Sequence, residues 1–173
     1  MMTIEIGGGP FVFPAAHTGL HDGQFEPLHG HTFTVTVRLS GNLDGAGMLA
    51  DFQHVKRALA EVIEPLRRRT LMPAHPPGGS CVLEDGQVFI ECGDKRYSLP
   101  VEDVVLLPVA NTTTEALAAH LLARLLPALA GKPGVEVAEL ALAESPGTKA
   151  TASAVLSVCR DAAVSAVSSG SRR

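Results

Sequence analysis

The segment Leu28-His29-Gly30-His31 runs directly into Thr32-Phe33-Thr34-Val35-Thr36-Val37-Arg38-Leu39, a period-two alternation that fits an extended strand with one apolar face. Every second side chain of a strand shares a face, so His29 and His31 present two imidazoles side by side where the strand begins. Gly30 keeps the opposite face clear at that point. Neutral imidazole suits zinc, which it binds at roughly 2.0–2.1 Å. Upstream, His17 ends the apolar run Phe13-Pro14-Ala15-Ala16-His17 and supplies a candidate third ligand. Residues 11–17 and 31–39 can pair as a hairpin, because the connection 18–28 holds the turn formers Gly19, Asp22, Gly23 and Pro27. Three histidine ligands leave a fourth position open, as in a catalytic rather than a structural zinc site. Two histidines at this spacing also occur on solvated strand faces, so the spacing alone leaves both readings open.

A chain of 173 residues suits one domain with a substantial core. Hydrophobic residues make up 46% of the chain but aromatic residues only 4%, so alanine, valine and leucine must do most of the packing. A net charge of −4 and a pI near 5.9 argue against a nucleic-acid binder, which would show a basic face. No apolar run approaches a membrane span and no secretory signal is evident, so no membrane partner and a cytoplasmic location are expected. Cys81, Cys92 and Cys159 are odd in number and lack a Cys-x-x-Cys arrangement, which fits free thiols in a reducing cytosol.

Residues 4–13 and 32–39 read as strands. Asp51 is a good cap for a helix whose apolar positions Phe52, Val55, Leu59, Val62, Ile63 and Leu66 recur with helical spacing. Pro73, Pro76, Pro77, Gly78 and Gly79 then break the chain. A hairpin follows over 81–84 and 87–91 about the turn Asp85-Gly86, with a further strand at 96–99. Thr113 or Thr114 caps a second helix carrying Leu117, Leu121, Leu122 and Leu125, which Gly131-Lys132-Pro133-Gly134 stops. Residues 135–143 and 151–158 read as two more strands. The order predicts an α+β fold: an antiparallel sheet of about four strands, two helices on one face, and a small inserted sheet at about 73–109. One domain over residues 1–160 and a disordered tail at 161–173 complete the expectation.

Phe13-Pro14-Ala15-Ala16-His17 followed by Leu28-His29-Gly30-His31 resembles the 6-pyruvoyl-tetrahydropterin synthase and 6-carboxy-tetrahydropterin synthase family. Gly47-Met48-Leu49-Ala50-Asp51-Phe52 with Val55-Lys56 is similar to that family's entry to its first helix, and Asn111-Thr112-Thr113-Thr114-Glu115-Ala116 to the entry to its second. Glu144-Ser145-Pro146-Gly147 resembles the strand end carrying the pterin-holding glutamate. The resemblance spans residue 11 to about residue 154. It implies the tunnelling fold, a homohexamer of two trimers with active sites between subunits, and a reduced pterin substrate, 7,8-dihydroneopterin triphosphate. It also implies Zn2+ held by His17, His29 and His31, Glu144 accepting the pterin's pyrimidine edge, and Thr113, Thr114 and Glu115 beside it.

Two departures bear on the reaction. Most relatives place a cysteine base four residues before the first histidine of Leu-His-Gly-His, where this chain has Phe25, expected to pack against substrate or core. The adjacent Glu26 is similar to a subgroup in which glutamate replaces that cysteine and the side chain is cut to give 6-hydroxymethyl-7,8-dihydropterin for folate synthesis. Relatives also carry an Asp-His pair after the first helix, where this chain has Arg67 and Arg68. A guanidinium stays protonated and cannot act as a base. The two arginines are therefore expected either to grip the triphosphate or to form a solvated basic turn at the helix end. His75 is a further candidate base, whereas His21, His54 and His120 read as surface or helix-face residues. Alongside the cleavage reaction, the resemblance leaves open a 6-pyruvoyl- or 6-carboxy-tetrahydropterin synthase reaction, or a catalytically silent pterin- or purine-binding subunit.

Overall fold

Strand β1 (Met2–His17) and strand β4 (His29–Gly41) form the antiparallel hairpin that the alternation predicts, and it is the longest paired element of the chain. The computed structural model describes residues 1–156 apart from 131 and 133. The predicted tail, Cys159, the end of the last predicted strand, and Gly131 and Pro133 of the helix stop lie outside the described residues. Between β1 and β4 the connection folds into a two-stranded ribbon of β2 (Leu20–His21) and β3 (Gln24–Phe25).

Helix α1 (Phe52–Ile63) starts where Asp51 caps it, its carboxylate accepting the Gln53 N–H at 2.8 Å. A short 3-10 turn leads to β5 (Thr70–Pro73). The inserted segment then forms a three-stranded antiparallel sheet of β6 (Gly79–Glu84), β7 (Gln87–Cys92) and β8 (Lys95–Pro100), followed by β9 (Val104–Leu107). Helix α2 (Thr114–Leu129) is capped by Thr113, whose hydroxyl accepts the Ala116 N–H at 3.3 Å. Strands β10 (Val135–Ser145) and β11 (Thr148–Val155) close the chain as a second hairpin.

The main sheet runs β11-β10-β4-β1-β5-β9. Its first four strands are the antiparallel set expected from sequence. The structure adds β5 and β9, which extend the sheet in parallel from β1. Both are four residues long and paired to segments distant in the chain, so no local turn signal announces them. Part of the insertion thus widens the main sheet.

Helix α1 lies against β1, and α2 against β10 and β11, so both helices cover one face of the sheet. That face is apolar: Phe11, Phe13 and Ala15 on β1 alternate inward with Phe33, Val35, Val37 and Leu39 on β4, all buried. Phe13 and Phe33 are cross-strand partners with ring centroids 5.3 Å apart. Truncating either fully buried ring to alanine costs about 3–5 kcal/mol.

Candidate metal centre and active site

The three histidines are the last tier of the core face. Phe13 pairs with Phe33, Ala15 with His31, and His17 with His29, so the same inward alternation that buries the phenylalanines delivers the imidazoles. Ala15, small and opposite His31, leaves room for that ring. The ring centroids form a near-equilateral triangle, His17–His29 at 4.7 Å, His29–His31 at 4.9 Å and His17–His31 at 5.1 Å, with the Phe33 ring beneath His17 and His31. One ligand nitrogen from each histidine lies within 4.8 Å of the other two.

Hydrogen bonding fixes which nitrogens face inward. His17 Nδ1 lies 2.7 Å from the Thr112 carbonyl, and His29 Nδ1 lies 2.7 Å from the Pro27 carbonyl. A carbonyl only accepts, so both Nδ1 atoms carry the proton and both Nε2 lone pairs are left for a metal. Burial pushes the His17 pKa below 6.5; the Thr112 contact opposes this, while His29 and His31 add to the lowering. The neutral form is thereby favoured. His17 Nε2 is also the buried side-chain polar atom that has no hydrogen-bond partner among the described residues. An orphaned lone pair facing two further imidazoles fits a divalent metal, and this donor set suits zinc.

Sequence reasoning missed the segment that holds His17 in place. Besides the Thr112 carbonyl on His17, the Thr112 hydroxyl donates to the Thr18 carbonyl at 2.8 Å. The Asn111 side chain donates to the Leu20 carbonyl and accepts the Leu20 N–H, each at 2.8 Å. The approach to α2 is therefore zipped onto the end of β1. These are bonds to backbone groups more than 90 residues away in sequence, and no sequence pattern signals them.

The histidines open onto a cleft of about 520 Å³ that Glu26, Glu115 and Glu144 also line, together with Thr113 and Thr114. Glu144 stands near the end of β10, and the Thr114 hydroxyl donates to its Oε2, which orients the carboxylate. Thr113 both caps α2 and faces the cleft. His21 and Lys149, which the sequence reading assigned no part, line it as well; His21 Nδ1 lies 3.2 Å from Asp22 Oδ2. His54 instead contacts the Ala128 carbonyl at 2.9 Å, tying α1 to α2. Exposed His75 is not part of the cleft lining.

Glu26 is exposed, and its carboxylate lies over Gly19. A Cβ on Gly19 would stand 2.8 Å from Glu26 Oε2 and 3.3 Å from its Cδ. Gly19→Ala is therefore expected to swing the Glu26 carboxylate aside at little cost in melting temperature, since the displaced atoms are the free end of a flexible side chain. If that carboxylate is reactive, a displacement of about 1 Å lowers kcat by about 10–100-fold. Parallel kcat and thermal-melting measurements check both halves.

Phe25, Arg67 and Arg68 do not line this cleft, and Phe25 takes the core position that is one of its two expected places. Phe25 is 2% exposed and sits in a second apolar cluster with Met72, Ile90 and Cys92, so it packs in the core and does not face the cleft. The Arg67 guanidinium donates to Glu64 Oε2 at 3.1 Å and to the Val12 carbonyl at 2.9 Å. Arg68 has φ +58°, gives its backbone N–H to the Pro14 carbonyl at 2.7 Å, and is exposed beside Pro14, Gly30 and Thr32. Neither arginine lines the cleft that the three histidines share with Glu26 and Glu144, and Arg68 borders a separate shallow groove that also reaches His31.

Residues 9–154 match the family model for 6-pyruvoyl tetrahydropterin synthase. The chain belongs to the 6-pyruvoyl tetrahydropterin synthase family. A provisional 6-carboxy-5,6,7,8-tetrahydropterin synthase of Methanocaldococcus jannaschii is 31% identical over 122 residues, 69% of this chain and 75% of that protein. The 6-pyruvoyltetrahydropterin synthase of Plasmodium vivax superposes with a TM-score of 0.83 at 29% identity, covering 90% of this chain and 98% of that one. Variants of the Plasmodium vivax protein, with a catalytic glutamate replaced by alanine or by cysteine, superpose with a TM-score of 0.84 at 27% identity over the same shares. The chain has the α+β tunnelling fold, and the family it belongs to is one of lyases of pterin biosynthesis. No helix among the described residues is long and apolar enough to cross a membrane.

Proposed function

We propose that the chain is a zinc-dependent pterin lyase that cuts the side chain of 7,8-dihydroneopterin triphosphate, releasing 6-hydroxymethyl-7,8-dihydropterin. The observation that carries this reading is the presence of the Glu26 carboxylate in one cleft with the three imidazoles and Glu144. A catalytic glutamate in the Plasmodium vivax relative supports it.

His17, His29 and His31 would hold the zinc, which supplies Lewis acidity toward the side-chain hydroxyls. Glu144 accepts the ring N–H and the amino group of the pterin in parallel, and Thr114 keeps the carboxylate in the plane this requires. Glu26 takes the proton of the second side-chain hydroxyl. The bond between the two hydroxyl-bearing carbons breaks, and its electron pair passes into the imine of the dihydropterin ring. Protonation of the carbon left on the ring gives the hydroxymethyl product, and the other fragment leaves as a two-carbon aldehyde carrying the triphosphate. No oxidant or reductant is needed. The active sites are proposed to lie between subunits of a homohexamer.

Glu144→Gln exchanges one charged acceptor for a group that also donates. Hydrogen bonds to charged groups are worth about 1.5–3 kcal/mol, so KM for the pterin is expected to rise about 10–100-fold, with zinc content unchanged.

Incubating the zinc-loaded protein with 7,8-dihydroneopterin triphosphate and identifying the products tests the assignment. 6-Hydroxymethyl-7,8-dihydropterin supports cleavage. A tetrahydropterin product would replace it with the synthase reaction, a second reading favoured by the similarity to the Methanocaldococcus jannaschii protein. Binding without turnover would make the chain a silent pterin-binding homologue.

A further inference from the structure

The inserted sheet of β6, β7 and β8 contributes no side chain to the cleft lining, yet it grips the segment that carries Glu26 at four points. At the β7–β8 turn, Gly93 packs so closely on the β2–β3 turn that a Cβ there would lie 2.7 Å from Gln24 Cγ and 3.2 Å from the Gly23 carbonyl. The Cys92 thiol donates to the same Gly23 carbonyl at 3.4 Å. Phe25 is buried against Ile90 and Cys92, with its ring centroid 6.3 Å from that of Tyr97. The Tyr97 hydroxyl donates to the Glu26 carbonyl at 3.3 Å.

On its other side the Glu26 backbone is tied to the end of β1. The Thr18 hydroxyl donates to the Glu26 carbonyl at 2.7 Å, and the Glu26 N–H donates to the Gly19 carbonyl at 2.8 Å. The Glu26 backbone is thus clamped between the histidine-bearing hairpin and the insertion. Neighbouring residues of an extended segment project to opposite sides, so driving Phe25 into the insertion turns Glu26 toward the cleft.

We propose that the insertion is a positioning device for Glu26, with Ile90 forming the socket for Phe25 and Tyr97 fixing the Glu26 backbone. Phe25 and Tyr97 are positioning residues that act through the carboxylate. This inference rests on the reading of Glu26 as the base. It gives the insertion a task in the reaction.

The test uses the full zinc-loaded chain with Tyr97→Phe, which keeps the ring, and Ile90→Ala, which opens the socket. Loss of one neutral hydrogen bond is expected to lower kcat about 3–10-fold in Tyr97→Phe, with KM and zinc content unchanged. Loosening the whole turn in Ile90→Ala is expected to lower kcat about 10–100-fold. Amide hydrogen exchange should quicken across residues 23–26 and stay as in the wild type across 31–37. Combined with Glu26→Gln, Tyr97→Phe should cost nothing further, because a residue acting through the carboxylate has nothing left to position. A full additional loss in that background would overturn the inference. So would wild-type kcat and wild-type exchange in both insertion variants beside an inactive Glu26→Gln. Wild-type turnover by Glu26→Gln itself would instead overturn the assignment of the base, and with it the catalytic purpose of the clamp.

Discussion

His17→Ala is expected to lose stoichiometric zinc and, with it, measurable turnover. The ring is buried, its Nδ1 proton is committed to the Thr112 carbonyl, and its Nε2 is the orphaned atom at the centre of the site. Changing a group that merely orients a metal ligand lowers affinity about 10–100-fold, so removing a ligand should lower it by more than about 100-fold. Dialysis followed by elemental analysis reads the affinity directly. A ligand that binds only the folded state adds about 2.7 kcal/mol at 100 times its Kd, so added zinc should raise the melting temperature of chelator-treated wild type and leave the variant unmoved. Equal zinc retention by wild type and His17→Ala would refute the assignment of this residue.

Glu26→Gln is expected to keep the zinc, keep the affinity for the pterin and lose turnover. Amide and carboxylate have nearly the same shape, so the packing around Gly19 and the backbone bonds to Thr18 and Tyr97 survive. What disappears is the capacity to accept a proton. A positioned general base contributes about 100–10,000-fold, and kcat should fall by that factor with KM little changed. Single-turnover measurements with saturating substrate separate this from a binding defect. A rise in KM with kcat preserved would make Glu26 a binding residue.

Much of this site was legible in the chain itself. Alternation in 32–39 fixed which face of β4 is buried, and counting back by twos puts His31 and His29 on that face. The same parity on β1 delivers His17 opposite His29. The caps at Asp51 and Thr113 and the Asp85-Gly86 hairpin carry local signatures, and they stand where those signatures put them.

What was not legible depends on partners distant in sequence. The choice between core and substrate for Phe25 is made by Ile90 and Cys92, which close over it from the insertion. Arg67 and Arg68 follow the helix, yet Glu64 and Val12 hold the Arg67 guanidinium away from the cleft, and the bond from Arg68 to Pro14 is made by its backbone N–H. Strands β5 and β9 are short and paired in parallel, a geometry that only the folded β1 edge dictates. The Thr112 group that supports His17 is a backbone carbonyl, which any residue could offer, and the Asn111 side chain holds backbone groups of Leu20, which carry no signature of their own.

The most direct test of the metal centre is the stoichiometry and X-ray absorption spectrum of the purified protein. One zinc per chain, with three nitrogen neighbours and one oxygen neighbour at about 2.0–2.1 Å, is the predicted result. Absence of stoichiometric metal, or sulfur among the neighbours, would contradict a three-imidazole centre with an open position beside Glu26 and Glu144.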